Sequence, residues 1–118
     1  MDWQFDLYTM TTAENTLLEE AADRLKSGLN PLRIYLFGSR ATESASPDSD
    51  YDILTVVADS NQPRYKRAQQ ARRLLAGLDA SFDVIVLTLD EWTRQVRSGV
   101  SLPNQIINEG RLIHDSGA

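Results

Sequence analysis

Asp50 and Asp52 stand two residues apart in the stretch DSDYDILTVV, and Asp83 is the second residue of another apolar run, FDVIVLT. In an extended strand, side chains at i and i+2 leave the same face, so Asp50 and Asp52 project together while Tyr51 and Ile53 face the other way. Asp83 joins them if its strand lies beside theirs. Any one of these acids alone reads as a solvated edge residue or a turn cap. Together they crowd like charges onto one sheet face, which costs stability unless a cation neutralises them. The chain has no cysteine and a single histidine, His114, to which no role is assigned. Ligation by oxygen alone suits Mg²⁺ or Mn²⁺, hard ions that take one or two protein carboxylates and complete their shell with phosphate oxygens and water.

Gly38 and Ser39 follow the β-rich run LRIYLF directly. A glycine at the end of a strand permits a left-handed backbone or close approach of a ligand, and a serine opening a helix offers a hydroxyl and free N–H groups to an anion. Gly-Ser by itself is most often only a turn. A phosphate cradle combined with metal-binding carboxylates and a third carboxylate describes a site for nucleotidyl transfer, in which Mg²⁺ bridges a triphosphate and pyrophosphate leaves in line.

Gly38-Ser39, ten intervening residues and Asp50-Tyr51-Asp52 resemble the G-S-x10-D-x-D signature of the polymerase-β-like nucleotidyltransferase superfamily, with Asp83 in the place of its third carboxylate. FGSRA, PDSDYDILTVV, FDVIVLT and the ending INEGRLIHD are further similar to the minimal nucleotidyltransferase (MNT) proteins, antitoxins encoded beside HEPN-domain ribonucleases, over residues 12 to 115. The resemblance implies that Ser39 and the Gly38 backbone hold the phosphates of ATP. It implies that Asp50, Asp52 and Asp83 bind Mg²⁺, with Asp83 also acting as general base. Arg40, next to Ser39, is placed to approach a phosphate, and a surface arginine at a helix start is the alternative. Glu43 departs from the pattern, since many members carry a glycine there.

The elements that must position these residues are legible in outline. A helix is expected over 12 to 27, with a capping box from Thr11 to Glu14 and with Gly28 and Pro31 ending it. Strands follow at 32 to 37, buried on both faces, at 50 to 57 and at 82 to 88, with a brief helix opening at GSRATE. Between the last two strands, 63 to 78 reads as an amphipathic helix with Tyr65, Ala68, Ala71, Leu74, Leu75 and Leu78 inward and its basic residues outward. Thr88 and Glu91 have capping-box spacing ahead of a helix that carries Trp92 and Val96 and ends near Gly99. SLPNQIINEG suggests a short helix stopped by Gly110, and RLIH an edge strand or a tail. The expected fold is a small α/β (α+β) nucleotidyltransferase domain, a short mixed sheet flanked by helices in two or three layers, with 1–118 as one domain and 1–11 as an N-terminal extension.

The 118 residues carry a net charge of −5, the wrong sign for holding a nucleic-acid backbone, so no direct nucleic-acid partner is expected. No apolar run approaches the roughly 20 residues of a membrane span, and MDWQFDLYTM lacks the features of a secretory signal, so no membrane partner and a cytoplasmic location are expected. Arg64, Lys66, Arg67, Arg72 and Arg73 concentrate basic charge on one helix, a solvated face or a contact surface. The chain has little left over for an acceptor-binding domain, so the acceptor should be presented by another macromolecule, and a protein suits an acidic enzyme better than RNA. The leading expectation is a protein adenylyltransferase that moves AMP from ATP onto a hydroxyl of a cognate HEPN toxin, the acceptor tyrosine being implied by the resemblance. The alternatives are a non-catalytic nucleotide-binding antitoxin acting by occlusion, and a nucleotidyltransferase acting on a small molecule.

Overall fold

A computed structural model describes residues 12–42, 46, 48–99 and 101–117; the expected cap at Thr11, the extension 1–11 and Glu43 lie outside them. Helix α1 (Thr12–Leu29) forms where Leu18, Ala21, Ala22 and Leu25 recur at helical period, and all four are buried. It runs on past Gly28, expected as its end. Asn30 stops it instead, with a left-handed φ of 49° and its N–H donating to Lys26 O at 3.1 Å. Gly28 lies inside the helix with the Leu74 side chain of the neighbouring helix packed where a Cβ would stand.

Strand β1 (Arg33–Phe37) leads into a single 3₁₀ turn, Gly38–Arg40, and after a loop the chain returns as β2 (Tyr51–Val57), antiparallel to β1. Helix α2 (Arg64–Leu74) carries the chain across to β3 (Phe82–Thr88), which pairs parallel with β2. A parallel pair cannot be closed by a hairpin, so this crossover is required by the topology. Helices α3 (Leu89–Arg97) and α4 (Ser101–Glu109) follow, and β4 (Arg111–Asp115) pairs antiparallel with β1, giving a mixed sheet of order β3-β2-β1-β4. RLIH therefore forms an edge strand.

The two-residue period of the strands divides the core. Ile34, Leu36, Ile53, Val84 and Val86 pack with α1 and α2 through Leu18, Leu25, Ala71 and Leu75. Leu54, Val56 and Leu87 pack on the opposite face with Trp92 of α3 and Ile106 of α4, where the rings of Tyr35 and Trp92 stack at 5.3 Å. The domain thus has three layers, with helices on both faces of the sheet.

Helix α2 departs from expectation in length and phase. It ends at Leu74, and Leu78 lies in the turn beyond it. Tyr65, expected inside, is 63% exposed, whereas Arg67, expected outside, is buried at 8%. Arg67 succeeds there because its guanidinium donates to Glu91 Oε1 at 2.7 Å, to Val86 O at 3.1 Å and to Gln62 O at 2.8 Å. The capping box forms as its spacing predicts, with Glu91 N–H donating to Thr88 Oγ1 at 3.2 Å and Thr88 N–H donating to Glu91 Oε1 at 2.8 Å. Glu91 therefore ties α2, β3 and α3 together. Among the described residues no helix is long and apolar enough to cross a membrane.

Candidate active site

The parallel pairing of β2 with β3 sets Asp52 directly opposite Asp83, on strands about 4.8 Å apart. Both are on the sheet face that carries Leu54, Val56 and Leu87, toward α3 and α4, by the alternation of the strands. Asp50 lies one residue before β2 and is exposed, rather than inside the strand as expected. Its charge still reaches Asp52: burial raises the proton affinity of the Asp52 carboxyl, and the carboxylates of Asp83 and then Asp50 raise it further. The three acids named by the sequence thus form one electrostatic group centred on Asp52.

Gly38 brings the turn to that group. Its φ of 73° is left-handed, and a Cβ at this position would run into Oδ2 of Asp52, so the glycine is required both by the turn and by the close approach. The pairing of Phe37 with Asp52 sets this juxtaposition, since it places the end of β1 beside the start of β2. Ser39 follows in the 3₁₀ turn, closed by Ala41 N–H donating to Gly38 O at 3.0 Å. Gly38 and Ser39 line a cavity of about 360 Å³ whose far wall is α4, with Gln105, Ile106 and Glu109. Helix α4 was not foreseen as part of the site. Its only local signal is the Gly110 that returns the chain to β4 beside β1, and the wall it makes depends on that pairing.

Arg40 goes elsewhere. Its Nε and Nη2 donate to Ser49 O at 3.2 and 2.9 Å, its Nη1 to Glu14 Oε2 at 3.3 Å, and its Cζ lies 4.4 Å from the centre of the Tyr51 ring. Tyr51 faces α1, so the guanidinium sits behind the sheet, on the side away from Asp52 and Asp83. Burial raises the Tyr51 pKa and Glu14, which accepts from its hydroxyl at 3.4 Å, raises it further, against the opposing charge of Arg40. A cavity of about 830 Å³ opens on this back side between α1 and the turn at 77–81, with Arg40, Asp48, Ser49 and Tyr51 in its lining.

A divalent ion fits the front group chemically. The donors are all carboxylate oxygens, and the mutual repulsion felt at Asp52 is what a dication relieves. Among the described residues no three such side chains converge closely enough to hold an ion by themselves.

The family described as polymerase beta, nucleotidyltransferase, matches residues 19–117. The chain belongs to that family. Its match takes in Gly38, Ser39, Asp50, Asp52 and Asp83 together with every strand. The nucleotidyltransferase domain superposes with a TM-score of 0.60 on an assigned nucleotidyltransferase of Sulfolobus solfataricus, at 25% identity, covering 86% of this chain and 80% of that one. It matches a toxin–antitoxin solved with AMP-PNP at a TM-score of 0.55 and 24% identity, over 83% of this chain and 73% of that one. A variant of the MntA–HpeT toxin–antitoxin gives a TM-score of 0.57 at 24% identity, over 83% and 72% of the two chains. At these identities the last two likenesses concern the fold. No curated protein matches the chain.

Proposed function

We propose that this nucleotidyltransferase domain is a Mg²⁺-dependent protein adenylyltransferase that transfers AMP from ATP to a tyrosine hydroxyl of a cognate HEPN ribonuclease toxin and so neutralises it. The observation that carries the reading is the placement of Asp52 opposite Asp83, with the Gly38–Ser39 turn in contact range of Asp52. The likeness of the fold to structures of toxin–antitoxin complexes, one of them with an ATP analogue, supports the choice of acceptor.

Ser39 and the Gly38 backbone hold the phosphates at the mouth of the α4-walled cavity. Asp50, Asp52 and Asp83 would hold the metal, which would supply positive charge to offset that of the triphosphate. Asp83, exposed at the edge strand, takes the proton of the acceptor hydroxyl as the bond from that oxygen to the α-phosphorus forms. The bond from the α-phosphorus to the bridging oxygen breaks, and its electron pair leaves with pyrophosphate. The reading is tested by incubating the protein with ATP, Mg²⁺ and the protein encoded beside it. AMP-sized mass increments on a tyrosine of that partner are expected; a neutralised partner with no increment would overturn the enzymatic reading.

A second reading, a nucleotide-binding antitoxin that acts by covering its partner, draws on the position of Asp50 outside β2 and on the lack of a tight three-carboxylate cluster among the described residues. It expects the double variant Asp50→Ala, Asp52→Ala to protect against the toxin as well as the wild type does. The adenylyltransferase reading expects that protection to disappear.

A further inference from the structure

We propose that Arg40 is a positioning residue that grips both neighbours of Asp50 from behind the sheet and so fixes Asp50 relative to the Gly38–Ser39 turn. What the site binds is taken from the preceding section; the grip itself stands on geometry. Arg40 follows Ser39 directly in the chain, and its guanidinium is forked onto the carbonyl of Ser49, nine residues on, through Nε at 3.2 Å and Nη2 at 2.9 Å. The same guanidinium lies over the ring of Tyr51 at 4.4 Å. Ser49 and Tyr51 flank Asp50, so one side chain holds the residue before it and the residue after it.

The grip is anchored on its far side. Glu14 of α1 accepts from Arg40 Nη1 at 3.3 Å and from the Tyr51 hydroxyl at 3.4 Å, and the Arg40 side chain is only 13% exposed. The stack continues into β3, where the Tyr51 and Phe82 rings lie 5.5 Å apart and Tyr51 N–H donates to Ser81 O at 2.9 Å. Arg40, Tyr51 and Phe82 on the back face are thus chain neighbours of Ser39, of Asp50 with Asp52, and of Asp83. Asp50 lies outside the ladder of β2, so the sheet's own pairing does not fix it and the hold on its two neighbours does. A planar, five-donor fork suits the task, as it can bond a carbonyl twice and stack on a ring at once. A lysine in its place keeps the charge toward Glu14 and loses the fork.

The test compares wild type, Arg40→Ala and Arg40→Lys by backbone amide exchange and by Mn²⁺ titration followed through the spectrum of the free ion. In both variants the amides of residues 50–52 should exchange roughly tenfold faster, with those of β4 within about twofold of wild type. Mn²⁺ affinity should fall roughly tenfold in Arg40→Ala, yet change by less than about twofold when Arg40→Ala is made in an Asp50→Asn background, since the effect runs through Asp50. A merely structural arginine would lower the melting temperature, speed exchange throughout the sheet and weaken Mn²⁺ equally in both backgrounds; that result, or unaltered exchange at 50–52, overturns the proposal. Arg40→Lys decides if Arg40→Ala does not fold. Failure of the wild type to take up Mn²⁺ would count against the nucleotidyl-transfer reading, and the exchange pattern alone would then decide the grip.

Discussion

Gly38 and Asp52 are in close approach: the backbone of Gly38 is left-handed, and a Cβ on it would strike the Asp52 carboxylate. The end of β1 and the start of β2 are thereby joined at the point where the Gly38–Ser39 turn and the Asp52 carboxylate meet.

Gly38→Ala should therefore do two kinds of damage, with Gly77→Ala as its internal control. Gly77 also has a positive φ, 88°, but no atom of the described residues lies within 4 Å of a Cβ there. Thermal unfolding should show a cost of about 1 kcal/mol for Gly77→Ala and about 2–3 kcal/mol for Gly38→Ala, and only the latter should abolish AMP transfer.

Neutralising Asp52 should separate stability from function. The carboxylate is half-buried beside two others, so Asp52→Asn removes a repulsion and should raise the melting temperature of the metal-free protein by several degrees, on the order of 1 kcal/mol. The same variant should lose both transfer activity and the further rise in melting temperature that Mg²⁺ with ATP produces in the wild type. A metal-free Asp52→Asn protein less stable than wild type would show that the carboxylate is satisfied in the fold.

Glu91 should control acid stability. Burial pushes its carboxyl up, but the hydrogen bond from Arg67, that from the Thr88 backbone and the charges of Arg67 and Arg64 bring it down from the ordinary 4.5 to about 2. Because the folded value is the lower one, its contribution is complete above about pH 4.5 and is lost as the pH falls toward 2. Glu91→Gln should flatten the stability curve in that window. At neutral pH it should cost about 3 kcal/mol in urea unfolding, since Arg67 is left buried without its counter-charge.

Thr55 offers a gain. It is fully buried in β2, and its Oγ1 has no hydrogen-bond partner among the described residues. Thr55→Val keeps the shape and removes an unsatisfied hydroxyl, so chemical denaturation should show stabilisation of about 1 kcal/mol with activity intact. Destabilisation would mean that the hydroxyl is satisfied in solution, for instance by a water.

Most of the elements and the identities of the front-face residues were legible because they depend on local rules. Apolar period separated helices from strands, the Thr88–Glu91 spacing formed its capping box, and Gly38-Ser39 with Asp50, Asp52 and Asp83 announced themselves by type and spacing. Where expectation failed, a distant partner had overruled a residue's type. Leu74, 46 positions along, packs against Gly28 inside the helix, and Arg67 turns inward to Glu91 and Val86 O.

By itself, then, the sequence determined the groups available to this protein: carboxylate oxygens, a Gly-Ser turn after a strand, and strands whose alternation sends acids at even spacing to one face. Only the tertiary structure decided which face and which neighbours. The parallel register of β2 with β3 sets Asp52 against Asp83, α4 closes the cavity at Ser39, and Arg40 passes behind the sheet to Ser49, Tyr51 and Glu14. Each of these joins residues far apart in the chain, where strand pairing and burial set the geometry and local spacing carries no record of it.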